Sequence, residues 1–98
     1  MHTGILQLDV LLSDVRSLKQ KRALVRPLVN EIRRTYAVAV AEAGHLDLHR
    51  RAMIGVATVA STPGHCIDVL AAVERFVAGR PELELLSARQ RLIGEEDE

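Results

Sequence analysis

The chain has little of several residue types whose abundance marks particular classes of protein. Its single cysteine, Cys66, excludes an internal disulfide and a multi-cysteine zinc site. Tyr36 and Phe76 are its only aromatic residues, which argues against a protein that stacks nucleic-acid bases on an aromatic platform. No apolar run approaches the roughly 18 residues that a membrane helix needs. No basic and apolar leader opens the sequence either. We therefore expect a cytoplasmic protein without a membrane partner.

Hydrophobic residues are abundant, and they make up 48% of the 98 positions. This fraction is too high for a disordered chain, and the length corresponds to one small domain. We expect a single domain over residues 1–94, followed by a disordered acidic tail over residues 95–98.

The formal net charge of zero hides an uneven distribution of charge. Between Arg16 and Arg34 there are seven basic residues and one acidic residue, Glu31, whereas the tail from Glu95 to Glu98 carries four negative charges. Two interpretations stay open. The basic segment is a site for a polyanion, with the tail masking it or keeping the protein soluble, or both segments are ordinary solvated surfaces.

Periodicity and end signals predict six elements. Leucine and valine alternate with polar residues in the first segment, which is typical of a strand. Ser17 and Gln20 form a capping box before one amphipathic helix, and Thr62 with Pro63 begins another. Pro27 predicts a kink in the first helix, or its division into two pieces. The expected order is strand 3–12, helix from 18, strand 36–43, strand 51–60, helix from 63 and strand 82–93.

This order predicts a ferredoxin-like α+β fold. Two strand–helix–strand units joined by a hairpin give a βαββαβ sandwich, in which a four-stranded antiparallel sheet carries two helices on one face. The predicted core consists of Leu6, Leu8, Val10, Val25, Leu28, Ile32, Val38, Val40, Ile54, Val56, Val69, Val73 and Phe76.

The two central segments of the predicted hairpin are apolar on both sides. Residues 37–41 alternate alanine and valine, and residues 53–59 are almost wholly apolar. A sheet with one wet face normally shows a polar residue at every second position. We expect a homodimer, in which a second copy of the chain covers this face or pairs with an edge strand; the alternative is an exposed face of small residues.

Three segments resemble the YlxP-like bacterial family, which is a domain of unknown function. Residues 16–22 are similar to its Arg-Ser-Leu-Lys-x-Lys-Arg motif, and residues 38–42 and 47–57 are similar to further segments in the same order. The resemblance implies a ferredoxin-like fold. It also implies a gene often found among translation and ribosome-maturation factors, and hence a link to RNA or the ribosome. Pro27 departs from the family pattern.

The basic helix is the strongest candidate site. At about 100° per residue, four cations fall within about 60° of one another and form a stripe about 21 Å long. Arginine forks suit phosphate oxygens, and the near absence of acids excludes salt bridges within the helix as their explanation. The stripe consists of Lys19, Arg22, Arg26 and Arg33, and Arg34, Lys21 and Arg16 border it.

Other chemistry is weakly indicated. His45, Asp47 and His49 alternate in a loop and would form a three-ligand metal site if that loop were extended. Gly44 favours a turn, which would separate them. Asp9 has no obvious carboxylate partner for acid–base catalysis. We therefore expect no metal, no cofactor and no enzymatic activity.

Two functions remain. The first is a non-enzymatic protein that binds RNA or a ribosomal subunit through its basic first helix. The alternative is a homo-oligomeric regulatory domain that senses a small ligand.

Overall fold

The computed structural model describes residues 1–94, and these form one antiparallel sheet with two helices. The acidic tail proposed for residues 95–98 lies outside the described residues. The elements are β1 His2–Leu12, α1 Leu18–Tyr36, β2 Ala39–Gly44, β3 Arg51–Ala60, α2 Pro63–Ala78 and β4 Leu83–Ile93.

The sheet has the strand order β2-β3-β1-β4, and all three neighbouring pairs are antiparallel. The strands that each helix connects are therefore separated by one intervening strand, as the split βαβ arrangement requires. This confirms the predicted ferredoxin-like fold. No helix within residues 1–94 is both long and apolar enough to cross a membrane.

The capping signal of α1 is confirmed with one change of partner. The Ser17 hydroxyl accepts a hydrogen bond from the Gln20 amide at 3.1 Å. The Gln20 side chain accepts one from the Arg16 amide at 2.6 Å, one residue earlier than in a standard capping box. Pro27 does not divide the helix, which continues without interruption from Leu18 to Tyr36. Pro27 and Ala23, whose carbonyl loses its helical partner, are both exposed to water.

The predicted start of the second strand is wrong by three residues. Tyr36 is the last residue of α1, and Ala37 caps the helix in the left-handed conformation, with φ of 52° and its amide bonded to the Arg33 carbonyl. The Tyr36 ring packs edge-on against Phe76 of α2 at a centroid distance of 5.8 Å. This tertiary contact favours the helical position of Tyr36 over the strand that the alanine–valine alternation predicted.

The core lies between the helices and one face of the sheet. Every predicted core residue is buried except Val69 and Phe76, which are half-buried and pack against the core. Inward-facing side chains of β1, such as Leu6 and Leu8, have no exposure at all. The first helix contributes Val25, Leu28 and Ile32.

The opposite sheet face carries no helix from residues 1–94, and the strand register divides it into two halves. On β2 and β3, Ala39 pairs with Ala57 and Ala41 pairs with Gly55, so this half is flat and apolar. We call these four residues the alanine patch. On β1 and β4 the outward side chains are mostly polar, since Gln7 pairs with Arg89.

Candidate functional site

The exposed side of α1 carries a continuous group of basic side chains. Each of them is exposed. Apart from Arg33, none forms an ion pair or side-chain hydrogen bond within residues 1–94. We call this group the α1 basic face: Lys19, Arg22, Arg26, Arg33 and Arg34.

A shallow depression of about 490 Å³ lies within this face and is lined by Arg26, Pro27, Asn30, Arg33 and Arg34. Three guanidinium groups therefore border one concave surface. Arg16, which precedes the helix, is exposed as well and extends the basic surface beyond its N-terminus.

Arg33 is held in place by the neighbouring strand. Its guanidinium donates to the Asn30 side chain at 2.9 Å and to the Val40 carbonyl at 3.0 Å. Val40 belongs to the edge strand β2. Arg33 therefore bonds a carbonyl group of the edge strand, and these two hydrogen bonds hold its guanidinium in place.

The one acidic residue of the basic segment does not neutralise this face. Glu31 forms an ion pair with Arg80 at 3.2 Å, and Arg80 also binds Glu82 at 2.7 Å. The Arg80 guanidinium lies 5.3 Å from the centre of the Phe76 ring. These contacts direct the Glu31 carboxylate towards the turn between α2 and β4.

Lys21 is not part of the exposed basic surface, contrary to the prediction. It is only 2% exposed. Its ammonium group contacts the Glu42 carboxylate at 2.7 Å and donates to the carbonyls of His45 at 2.7 Å and Leu48 at 2.8 Å. The two carbonyls accept hydrogen bonds from the ammonium group, and the Glu42 carboxylate balances its charge as an ion pair. Lys21 therefore fixes the loop between β2 and β3, and no phosphate can reach it.

A sequence signal for this burial does exist. Lys21 stands four, seven and eleven residues before the buried residues Val25, Leu28 and Ile32. This spacing places all four side chains on one face of a helix. Lys21 was nevertheless predicted to border the exposed stripe, because the segment around it is rich in basic residues.

The weak metal candidates are not brought together. His45 adopts a left-handed conformation with φ of 58°, and its imidazole turns towards Asp9 of β1, with 3.4 Å between Nε2 and Oδ1. Asp47 and His49 are exposed on the turn. Within the part of the chain that the structure describes, no three His, Cys, Asp or Glu side chains are grouped to hold a metal ion.

Asp9 belongs to an ion-pair cluster that the sequence analysis missed. Arg51 of β3 donates two hydrogen bonds to its carboxylate, at 3.2 and 2.6 Å. These hydrogen bonds are the largest of the effects that lower the pKa of Asp9 below its usual value. The charge of Arg51 and the contact with His45 also lower it, whereas burial raises it. The partners come from distant parts of the chain, so only the register of β1 and β3 identifies the pair.

Comparisons with known proteins confirm the resemblance seen in the sequence. The family described as "Protein of unknown function (DUF503)" matches residues 3–90. The "Uncharacterized protein YlxP" of Bacillus subtilis (strain 168) is 28% identical over 81 residues, which are 83% of this chain and 88% of that protein. The family match spans nearly all of the fold described above, and the chain therefore belongs to the DUF503 family.

Proposed function

We propose that this protein is a non-enzymatic RNA-binding protein that uses the α1 basic face to contact the phosphates of structured RNA, free or within a ribosomal subunit. The observation that carries the proposal is the absence of acidic partners for these exposed cations within residues 1–94. Cations that stabilise a fold are usually paired, whereas unpaired cations on one face attract a polyanion.

The geometry favours phosphates over bases as the contacted groups. Lys19 and Arg33 are 14 residues apart, which corresponds to about 21 Å along a helix. This length spans several phosphates of a folded RNA. The face includes no aromatic side chain on which a base can stack. Binding should therefore depend on RNA shape and charge and be nearly independent of sequence.

Fluorescence anisotropy with a labelled RNA hairpin at low salt tests the proposal. The double variant Arg22→Glu and Arg26→Glu should weaken binding strongly, because both side chains are exposed and lie at the centre of the face. The matched control is Arg89→Glu with Arg91→Glu, which changes the net charge equally on the open sheet face. Equal loss of affinity in both double variants would show that only overall charge matters, and it would contradict a site on α1.

The open sheet face favours a second candidate, the homo-oligomeric ligand-sensing domain. The alanine patch leaves Ala41 and Ala39 exposed beside Gly55, so a second sheet can approach closely. We propose that this patch forms a homodimer. Light scattering should then give about twice the 10.8 kDa mass of one chain. Ala41→Glu should give a folded monomer. A wild-type protein that stays at 10.8 kDa at micromolar concentration would contradict the dimer.

A further inference from the structure

The polar half of the open sheet face contains a small pocket that the α1 basic face does not involve. Its volume is about 220 Å³. Three strands and the loop after β2 contribute to its wall. The lining residues are Gln7, Asp9, His45, Met53, Ser87 and Arg89. We call it the open-face pocket.

Two irregularities in the sheet flank this pocket. The pairing of β1 with β4 shifts register between Asp9 and Val10, and the pairing of β2 with β3 shifts between Glu42 and Gly44. Asp9 and Ser87 form the last pair before the first shift, because the next residue, Val10, pairs with Leu85. Bulges of this kind redirect side chains and are common beside functional sites. The pocket is therefore a product of the sheet geometry and not only of side-chain placement.

The charges around the pocket favour an anion. Asp9 is already matched by Arg51, which binds its carboxylate through two nitrogens. Arg89 forms no ion pair within residues 1–94. The formal charges of Arg51, Arg89 and Asp9 add up to +1 when His45 is counted as neutral. A ligand with one negative charge would neutralise the site, whereas a zwitterion would not.

Hydrogen-bonding groups and size define the ligand further. The guanidinium of Arg89 matches the two oxygens of a carboxylate, and the Gln7 amide and the Ser87 hydroxyl lie beside it in the lining. The Asp9 carboxylate accepts hydrogen bonds, so it suits a hydroxyl group on the same ligand. At about 30 Å³ for each molecule in liquid water, the pocket has room for about seven waters, which matches a ligand of a few heavy atoms.

We propose that the open-face pocket binds a small hydroxy-monocarboxylate, with its carboxylate on Arg89 and its hydroxyl on Asp9. This site lies on the sheet face without helices, away from the α1 basic face, so it does not depend on the RNA-binding proposal. It supplies a ligand class for a regulatory role of the fold.

Two-dimensional ¹H–¹⁵N NMR with L-lactate as the probe tests the site. Lactate should produce saturable shifts at the amides of Gln7, Ser87 and Arg89. L-Alanine, which has nearly the same size but carries no net charge, should bind more weakly. Sodium chloride at matched ionic strength should not reproduce the shifts. Shifts that are identical for lactate and chloride, or that do not saturate, would overturn the proposal.

Two single variants locate the carboxylate. Arg89→Ala should weaken lactate binding by about tenfold or more, as expected for the loss of a charged hydrogen-bonding partner. Arg91→Ala is the matched control, because Arg91 lies on the same strand and face but does not line the pocket. Its affinity for lactate should equal that of the wild type. Equal affinities in all three proteins would refute the role of Arg89.

A third variant separates this proposal from RNA binding. The double variant Arg22→Glu and Arg26→Glu should bind lactate as the wild type does, because neither residue lines the pocket. Loss of lactate binding in this variant would place the site on α1 and overturn the proposal. Loss of RNA binding alone would leave it standing.

Discussion

Replacement of Lys21 by methionine tests whether this lysine stabilises the fold or belongs to the binding surface. Methionine matches the lysine side chain as far as Cε and lacks only the ammonium group. The Glu42 carboxylate then loses its counter-charge, and the carbonyls of His45 and Leu48 lose their shared donor. Removing one partner of a buried ion pair costs about 3–5 kcal/mol. Because the Glu42 side chain keeps 22% exposure, water offsets part of this loss, and we expect about 2–4 kcal/mol.

Urea unfolding followed by circular dichroism measures this cost. With a denaturant slope of roughly 1–3 kcal/mol/M, a loss of about 3 kcal/mol lowers the midpoint by about 1–3 M. Arg22→Met is the matched control, because Arg22 is the next residue of the same motif but is exposed. Its free energy of unfolding should change by less than about 0.5 kcal/mol.

A double variant checks the cause of the loss. Lys21→Met with Glu42→Gln removes the unpaired charge together with its partner, and it should regain part of the stability that Lys21→Met loses. If Lys21→Met and Arg22→Met had equal unfolding midpoints, Lys21 would not be the buried anchor that the structure shows. The reasoning would also fail if the double variant were less stable than Lys21→Met.

Four further substitutions have outcomes that follow from local geometry. A methyl group on Gly4 would lie 2.8 Å from Leu70 Cδ1. Gly4→Ala should therefore lower the free energy of unfolding in urea by about 1–3 kcal/mol. A methyl group on Gly64 meets no atom within 4 Å, so Gly64→Ala should raise the free energy of unfolding. Ala37 has φ of 52°, so Ala37→Gly should raise the free energy of unfolding by about 0.5–1 kcal/mol, and a decrease would contradict the left-handed cap. The pKa of Asp9 is lowered by its hydrogen bonds from arginine, so its stabilising effect is present above the unfolded pKa and is lost as the pH falls towards the folded one. Thermal melts of Asp9→Asn should therefore show a smaller loss of stability from about pH 5 to about pH 2 than the wild type, and parallel curves would show that Asp9 contributes nothing.

The fold was predictable because its signals are local. The Ser17 cap, the Thr62 cap with Pro63 and the alternation of leucine and valine in β1 each define an element through residues close in sequence. Pro27 was a misleading signal. A proline inside a helix costs about 3 kcal/mol. The burial of Val25, Leu28 and Ile32 on the other side of α1 offsets this cost, and the sequence does not show which of the two effects is larger.

The candidate sites were less predictable, because long-range pairing decides them. Lys21 and Arg22 are neighbouring cations of one motif, yet the Lys21 side chain contacts Glu42 and the Arg22 side chain is exposed to water. The contacts of Asp9 with Arg51 and His45 join residues 42 and 36 positions apart in sequence. The first follows from the register of β1 and β3, and the second from the course of the loop after β2. Counting charges along the chain identifies a basic segment but not which of its members face the solvent.

The salt dependence of RNA binding tests the central claim most directly. Each phosphate neutralised by the α1 basic face releases condensed counterions, so about four contacts give a slope of about −2.8 to −3.6 for the logarithm of affinity against the logarithm of salt concentration. Arg22→Ala with Arg26→Ala removes two contacts and should reduce the magnitude of the slope by about 1.4–1.8. An unchanged slope in that double variant, or wild-type protein that does not bind the hairpin at low salt, would contradict the account.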